Sequence, residues 1–506
     1  MDPFETDADR LLLYNQDPGV AFSETDDPME PRDVDRMVDE VATAGVDVLF
    51  VNVNMWCTNY PSDVWEPWWT GFDDWLAANP PIDTPAMHAQ LHWSDPRHPK
   101  RIHMIEQMRR LADAGCDYLD LALDCCRDRG VAAGVSIRMN DLHDTDIESP
   151  YFSDWYRDHP ALRLPTDRDS GIARLDWAKE GTRDHFHALI DEVLSAYGPD
   201  VLELDFMRHP PFFAPDDARE AAPTMTDFIA RVADRCRRVD ASLVPRVPPA
   251  LPIATRYGLD VPAWVDRGIV DGVTVGTRMR IDWQLPLDRW RAALGDVPLF
   301  ASLDKWTDDP PGLPKRELSA HDVLLAGAGA AYANTPADGL YFFNFFGPRE
   351  RPDQPSEPRF ETVPALASDD QLAGMEKHVL TTVTDGSRDH APAQLPATIP
   401  RGIAKEFTIS LAAEPEDAVV ELRPVTRTPV DPDAIDCDVN DRPVAGPFAT
   451  EPVHRPAYRD RDPAATAHHL IVSVDTDAIR AGPNHVAIRN RGADPLTLVG
   501  LEVHVR

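Results

Sequence analysis

Residues 201–208 read VLELDFMR. In an extended strand successive side chains alternate between faces, so Glu203 and Asp205 share one side while Leu202, Leu204 and Phe206 share the other. A buried carboxylate is costly unless it is paired or used. Two acids on one parity, backed by an apolar parity, suit the inside of a parallel barrel, where the outer face meets helices.

Short β-branched or apolar runs of the same kind recur along the chain, at residues 11–16, 48–54, 132–140, 243–247, 272–278, 298–304 and 340–344. With 201–208 they make eight. Between them lie PRDVDRMVDEVATAG, HPKRIHMIEQMRRLADAG, TRDHFHALIDEVLSAYG, TMTDFIARVADRCRRVD and SAHDVLLAGAGAAYANT. Their apolar residues return every three or four positions, the helical period. Alternating strands and helices predict βα units and an α/β fold, here a (β/α)8 TIM barrel.

The chain has 506 residues, more than one core usually organises. A helix is expected around residues 371–381, packed on the barrel, and then GSRDHAPAQLPATIPRG reads as a Pro-rich linker. Beyond it EFTISLAA, AVVELRPV, HHLIVSV, NHVAIRN and LTLVGLEVHV alternate apolar and polar residues between turns. That pattern predicts a C-terminal antiparallel, jelly-roll-like β-sandwich. The expected organisation is a barrel over 1–383, a linker over 384–402 and a sandwich over 403–506.

Acidic residues number 86 against 50 basic ones, a formal charge of −36 spread along the whole chain. A phosphate-binding surface needs a basic stripe, so nucleic acid is excluded as a partner. A diffuse negative surface suits concentrated salt, where the Debye length falls to about 3 Å at 1 M. A halophilic source is the expectation. The opening MDPFETDADRLLLYNQD has neither a basic leader nor an apolar span, which predicts a cytoplasmic protein with no membrane partner. The six cysteines show no CxxC spacing, so no disulfide framework or structural metal is expected.

In a parallel barrel, chemistry sits at the C-terminal strand ends. By the same parity rule these ends present Asn52 and Asn54, then Ser136, Arg138 and Asn140, then Ser302 and Asp304, with Arg278 and Asn344 closing two further runs. A structural ion pair between Glu203 and Arg138 is expected below the rim. Glycoside hydrolysis usually needs two carboxyl groups flanking the scissile bond. Asp205 is the expected nucleophile or base and Asp304 the acid, with Glu203 as an alternative acid and the two roles interchangeable. Asp141 and Asp144 are competing acids.

Amide, guanidinium and indole groups suit a polyhydroxylated partner. Asn54, Trp56, Arg138, Asn140, Asp141, His143, Arg208, Arg278, Trp306 and Asn344 are therefore the expected substrate-binding residues of a carbohydrate site. The segments after the second and third runs are long and aromatic, with Trp56, Trp65, Trp68, Trp69, Trp75 and Trp93 in one and Tyr151, Phe152, Trp155 and Tyr156 in the other. Loops of that length are usually functional. His92, His143 and His209 lie near the rim, but no HExxH, DxDxDG or phosphate-cradling glycine loop is present, and neither metal nor cofactor is expected.

VLELDFMRHP resembles the fourth-strand motif L-D-F-x-R-x-P of glycoside-hydrolase-like (β/α)8 barrels, with LDWAKEGTRDHF before it and GVAAGVSIRMNDLHD similar to their third strand. The likeness covers residues 40–350, and its most specific part is Asp205, Arg208 and Pro210. It implies a glycosidase-type barrel with Asp205 in the pocket. His209 departs from the pattern, standing where an aromatic is common. VNDRPV and DTDAIRAGPNHVAIRNRGADPLTLVGLEVHV are similar to the galactose-binding-like sandwiches appended to glycosidases. Such a module either binds sugar or buttresses the barrel, and with no exposed aromatic platform in it the buttressing role is the expectation.

Two alternatives stay open. One is a metal-dependent sugar isomerase or epimerase with Glu203, Asp205 and a rim histidine as ligands. The other is a non-catalytic carbohydrate-binding protein.

Overall fold

The computed structural model describes residues 3–17, 22, 28–80, 97–142, 146–166, 171–307, 321–345, 360–384, 393–414, 417–453 and 467–506. Eight parallel strands form the barrel: β1 (Leu11–Gln16), β2 (Val48–Asn52), β3 (Ala132–Arg138), β4 (Val201–Asp205), β5 (Ser242–Val247), β6 (Val273–Val275), β8 (Leu299–Leu303) and β10 (Gly339–Phe343). Two-residue strands β7 (Arg280–Ile281) and β9 (Trp306–Thr307) lie on the strand-end side of β6 and β8. The sheet runs β10-β1-β2-β3-β4-β5-β6-β8, and a β10–β8 pairing closes it.

Every residue of β2 and of β4 is buried, as expected for strands covered on both faces. Gly134 on β3 has a packing reason: a Cβ there would stand 2.6 Å from the Phe50 ring of β2. Helices start at local caps. The Asp117 carboxylate accepts from Leu119 N at 2.9 Å to open Tyr118–Asp128, and Glu30 with Asp33 forms a capping box before Pro31–Thr43.

By density of contacts the chain divides into two compact units. One comprises 13–274 with 1–5 and 293–298, the other 6–12, 275–292 and 299–506. In the first, the aromatic segments after β2 and β3 are packed. Trp56 lies 4.7 Å from Tyr156, Trp68 5.3 Å from Tyr151, and His185 stacks between Trp65 at 4.1 Å and Trp155 at 3.4 Å. Glu192 fastens the first of these segments by accepting from Tyr60 Oη, Ser62 Oγ and Asp63 N, each at 2.6 Å. Trp93 lies outside the described residues.

The second unit holds two antiparallel sheets. One joins β11 (Lys377–Leu380), β12 (Ala397–Ile399), β14 (Val420–Thr426), β17 (Ala449–Pro452), β18 (His468–Val474) and β20 (Leu496–Val505) in the order β11-β20-β14-β18-β17, with β12 also on β20. The other runs β13-β19-β15-β16, from Ala404–Leu411, Gly482–Asn490, Ile435–Val439 and Arg442–Pro443. Strand β19 alternates buried and more exposed positions along its length, the pattern of a sheet with one face on a core.

The helix expected over 371–381 is corrected. It spans only Asp369–Ala373, and Lys377–Leu380 is a strand paired antiparallel with β20. Gly374 sits at the helix end. Lys377, without exposed surface, donates to the carbonyls of Leu372 and Met375 at 2.7 and 3.0 Å and pairs with Glu414 at 2.8 Å. Those bonds fold the chain back into the sheet. Among the described residues no helix is long and apolar enough to cross a membrane, and all six cysteines are free thiols.

Candidate active site

In the first unit, parity and register together decide which groups meet. Ser136 of β3 pairs with Glu203, and Arg138 pairs with Asp205. On the other side Asp205 pairs with Arg246 of β5. Both acids are without exposed surface. The Glu203 Oε1 accepts from Ser136 Oγ and from Asn15 Nδ2 of β1, each at 2.7 Å.

Asp205, one layer nearer the strand ends, is held differently. Its Oδ1 accepts from Met207 N at 2.8 Å. Its Oδ2 accepts no hydrogen bond among the described residues, and lies 3.6 Å from Arg246 Nη1 and 3.9 Å from Arg208 Nε. Both arginines are almost fully buried. They offset what burial of the carboxylate costs.

The ion pair expected between Glu203 and Arg138 is replaced. Arg138 is level with Asp205, not with Glu203, and pairs with Asp17 at 2.5 Å and Asp141 at 3.4 Å. Burial opposes charge on this guanidinium, but Asp17, Asp141 and Asp205 more than offset it and hold its pKa above the ordinary value. Arg208 reaches the same Asp17 at 3.3 Å. Asp17, Asp141 and Asp205 with Arg138, Arg208 and Arg246 thus form one charged network, buried except at Asp17.

Two expected ligands spend their amides on the scaffold. Asn54 accepts from Arg138 N at 2.9 Å and donates to Arg138 O at 3.1 Å, locking the end of β2 to β3. Asn140 accepts from Leu175 N at 3.0 Å and donates to Pro211 O at 3.5 Å. Trp56 is buried in its aromatic cluster. His209 has a left-handed backbone, φ 47°, which is uncommon outside glycine and clusters at functional positions. Its carbonyl accepts from Arg174 Nε at 2.8 Å, and its Nδ1 accepts from Leu142 N at 3.0 Å. That bond requires the neutral ring to carry its proton on Nε2. His143 lies outside the described residues, as do Asp144 and His92.

The second unit carries its own acidic group. Asp304, just past β8, has no exposed surface; it accepts from Ser302 Oγ at 3.1 Å and from Met279 N. Met279 is left-handed at φ 65°. Gly276 allows the close approach, since a Cβ there would collide with Ser302. Nearby in sequence, Asp282 is fully buried, accepts from Thr277 Oγ1 and, through its carbonyl, from Tyr332 Oη. Arg278 is half-buried, Trp306 is 8 % exposed with Lys305 Nζ 5.3 Å from its ring, and Asn344 has φ 50°.

Asp17, Arg246 and Asp282 were not anticipated. Asp17 and Asp282 follow short strands in segments without periodicity. Arg246 had a usable signal, a charge inside an otherwise apolar strand on the same parity as its neighbours' polar residues. Among the described residues no three His, Cys, Asp or Glu side chains are grouped to hold a metal ion.

No protein-family model and no curated protein matches the chain. Among solved structures it is similar to a cycloisomaltooligosaccharide glucanotransferase of Paenibacillus sp. complexed with cycloisomaltoheptaose, at 8 % identity and TM-score 0.35, over 97 % of this chain and 57 % of that one. The chain therefore spans little more than half of that protein's length. It is also similar to a maltogenic alpha-amylase of Thermotoga neapolitana, at 9 % identity and TM-score 0.39, over 96 % of this chain and 98 % of that one. A third likeness is to the PgaB glycoside hydrolase domain of Bordetella bronchiseptica, at 9 % identity and TM-score 0.42, over 71 % of this chain and 99 % of that one.

Proposed function

We propose that the chain is a glycoside hydrolase acting on an oligosaccharide or glycoside, with Asp205 as nucleophile or base. The observation that carries this reading is the asymmetry of the Asp205 carboxylate at the end of β4. One oxygen is pinned by Met207 N, while the other accepts no hydrogen bond among the described residues and faces two guanidinium groups. Such an oxygen keeps a lone pair for an anomeric carbon or a water proton, the task of one carboxylate in most glycosidases.

The second carboxyl protonates the leaving oxygen. Asp304 is proposed for it, with Glu203 and Asp141 as alternatives. Arg138 and Arg208 supply donors for substrate hydroxyls. The setting that fits composition and charge is the cytoplasm of a halophile, with imported oligosaccharides or glycosides as substrates.

The complete burial of Asp205 favours a second reading, in which the network only braces the barrel mouth. Hydrolysis of a panel of aryl glycosides and oligosaccharides in molar salt tests both. Asp205→Asn and Asp304→Asn are expected to lower kcat by about 10³-fold or more, as loss of a reacting group does; Asp205→Asn also lowers Tm, because it leaves the Arg246 charge buried without its carboxylate. If the wild type turns over no member of the panel, the bracing reading replaces the catalytic one.

A further inference from the structure

Of the three carboxylates in the charged network, one stands apart. The side chains of Asp141 and Asp205 are each 1 % exposed, whereas that of Asp17 is 20 % exposed. Asp205 is the last residue of β4, but Asp17 is the first residue past the end of β1. Its Oδ2 nonetheless meets two arginines, Arg138 Nη2 at 2.5 Å and Arg208 Nη2 at 3.3 Å, both almost without exposed surface. Arg138 Nε makes no hydrogen bond among the described residues, so this guanidinium keeps a donor unspent.

The charges of this layer balance only with Asp17 in place. Without it Arg138, Arg208 and Arg246 face Asp141 and Asp205, which leaves one buried positive charge that needs a partner. Arg208 also fixes where that partner stands. Its Nη2 meets Asp17 while its Nε lies 3.9 Å from Asp205 Oδ2. The two carboxylates are therefore neighbours across one planar fork.

We infer that Asp17 occupies a subsite for the carboxylate of an acidic sugar, and that the substrate is a glycoside of a uronic acid whose own ring lies against Asp205. Guanidinium groups recognise carboxylates through charge-assisted hydrogen bonds, stronger than those to hydroxyls, so a uronate gains more here than a neutral sugar. Its carboxylate takes the place of Asp17, the acid of the three that has solvent to turn towards. A ring joined directly to that carboxylate reaches the Asp205 oxygen that accepts no hydrogen bond. Binding of the acid is independent of hydrolysis; only cleavage of the ring rests on the role proposed for Asp205.

The test uses the full chain in molar salt, where buried pairs are screened far less than exposed ones. Aryl glucuronides and galacturonides of both anomers are compared with the matching glucosides and galactosides. Free glucuronate and galacturonate are compared with glucose, galactose, acetate and sulfate by thermal shift. For at least one uronide, kcat/KM is expected to exceed that of its neutral counterpart by about tenfold or more, the scale of a hydrogen bond to a charged group. Arg208→Gln removes that preference. Asp17→Asn, which clears the subsite without touching an arginine, widens it by about tenfold through KM and enlarges the saturable rise in Tm given by the uronate. No uronide preference in a chain that hydrolyses neutral glycosides overturns the inference and leaves the hydrolase reading standing. If no glycoside is turned over but a uronate raises Tm, more so in Asp17→Asn, the subsite stands and the hydrolase reading falls. Equal rises with acetate or sulfate, no rise with either uronate, or a preference that Asp17→Asn leaves unchanged overturns the inference.

Discussion

Asp205 and Arg246 depend on each other because neither has exposed surface. Removing one partner of a buried pair leaves an uncompensated charge and costs about 3–5 kcal/mol. Arg246→Met is therefore expected to destabilise the chain by that amount in urea unfolding, and adding Asp205→Asn is expected to restore part of the loss. A single variant within about 1 kcal/mol of wild type would show that solvent or another cation serves Asp205. Glu203 and Asp205 were legible because alternation alone sorts the side chains of a strand. Their partners were only partly so. Which arginine stands level with which acid depends on the stagger between neighbouring strands, and stagger is a property of two segments that no single run displays.

At the level of elements, the helix Glu180–Glu192 carries His185 into a stack between two indoles. Burial, with a smaller effect from His159, lowers its pKa to about 3. The sign follows from linkage. Between the ordinary 6.5 and about 3 the unfolded chain binds a proton that the folded chain refuses, so this group's stabilisation is complete above 6.5 and is lost as pH falls, at about 1.4 kcal/mol per unit. Urea unfolding between pH 7.5 and 5 is expected to show a shallower decline for His185→Phe, which keeps an aromatic ring in the stack. Parallel curves for the two proteins would remove His185 from the account. The barrel strands were readable because each is a local run with helices between. Strand β11 was not, since its KHVL sequence continues a helical pattern and only pairing with β20 makes it a strand.

For the whole molecule, the charge of −36 is a folding constraint as much as a surface property, because like charges oppose compaction until salt screens them. Screening lengths shrink from about 10 Å at 0.1 M to about 3 Å at 1 M. Tm is expected to rise steadily with sodium chloride over that range and beyond, measured by differential scanning calorimetry; a flat or falling profile would contradict a salt-adapted surface. Charge is the whole-molecule property most fully legible in sequence, since it needs no partner positions. The two compact units follow long-range pairing between segments far apart in the chain, which no local stretch of sequence displays.

The pairing of β11 with β20 also sets a timetable for biosynthesis. Strand β20 lies inside its sheet, hydrogen-bonded to β11, β12 and β14. On a ribosome working at 5–20 residues per second, β11 waits roughly 6–26 s for that partner to be made. Until then Val379 and its neighbours present an open strand edge, and this interval is when the nascent chain most needs a chaperone.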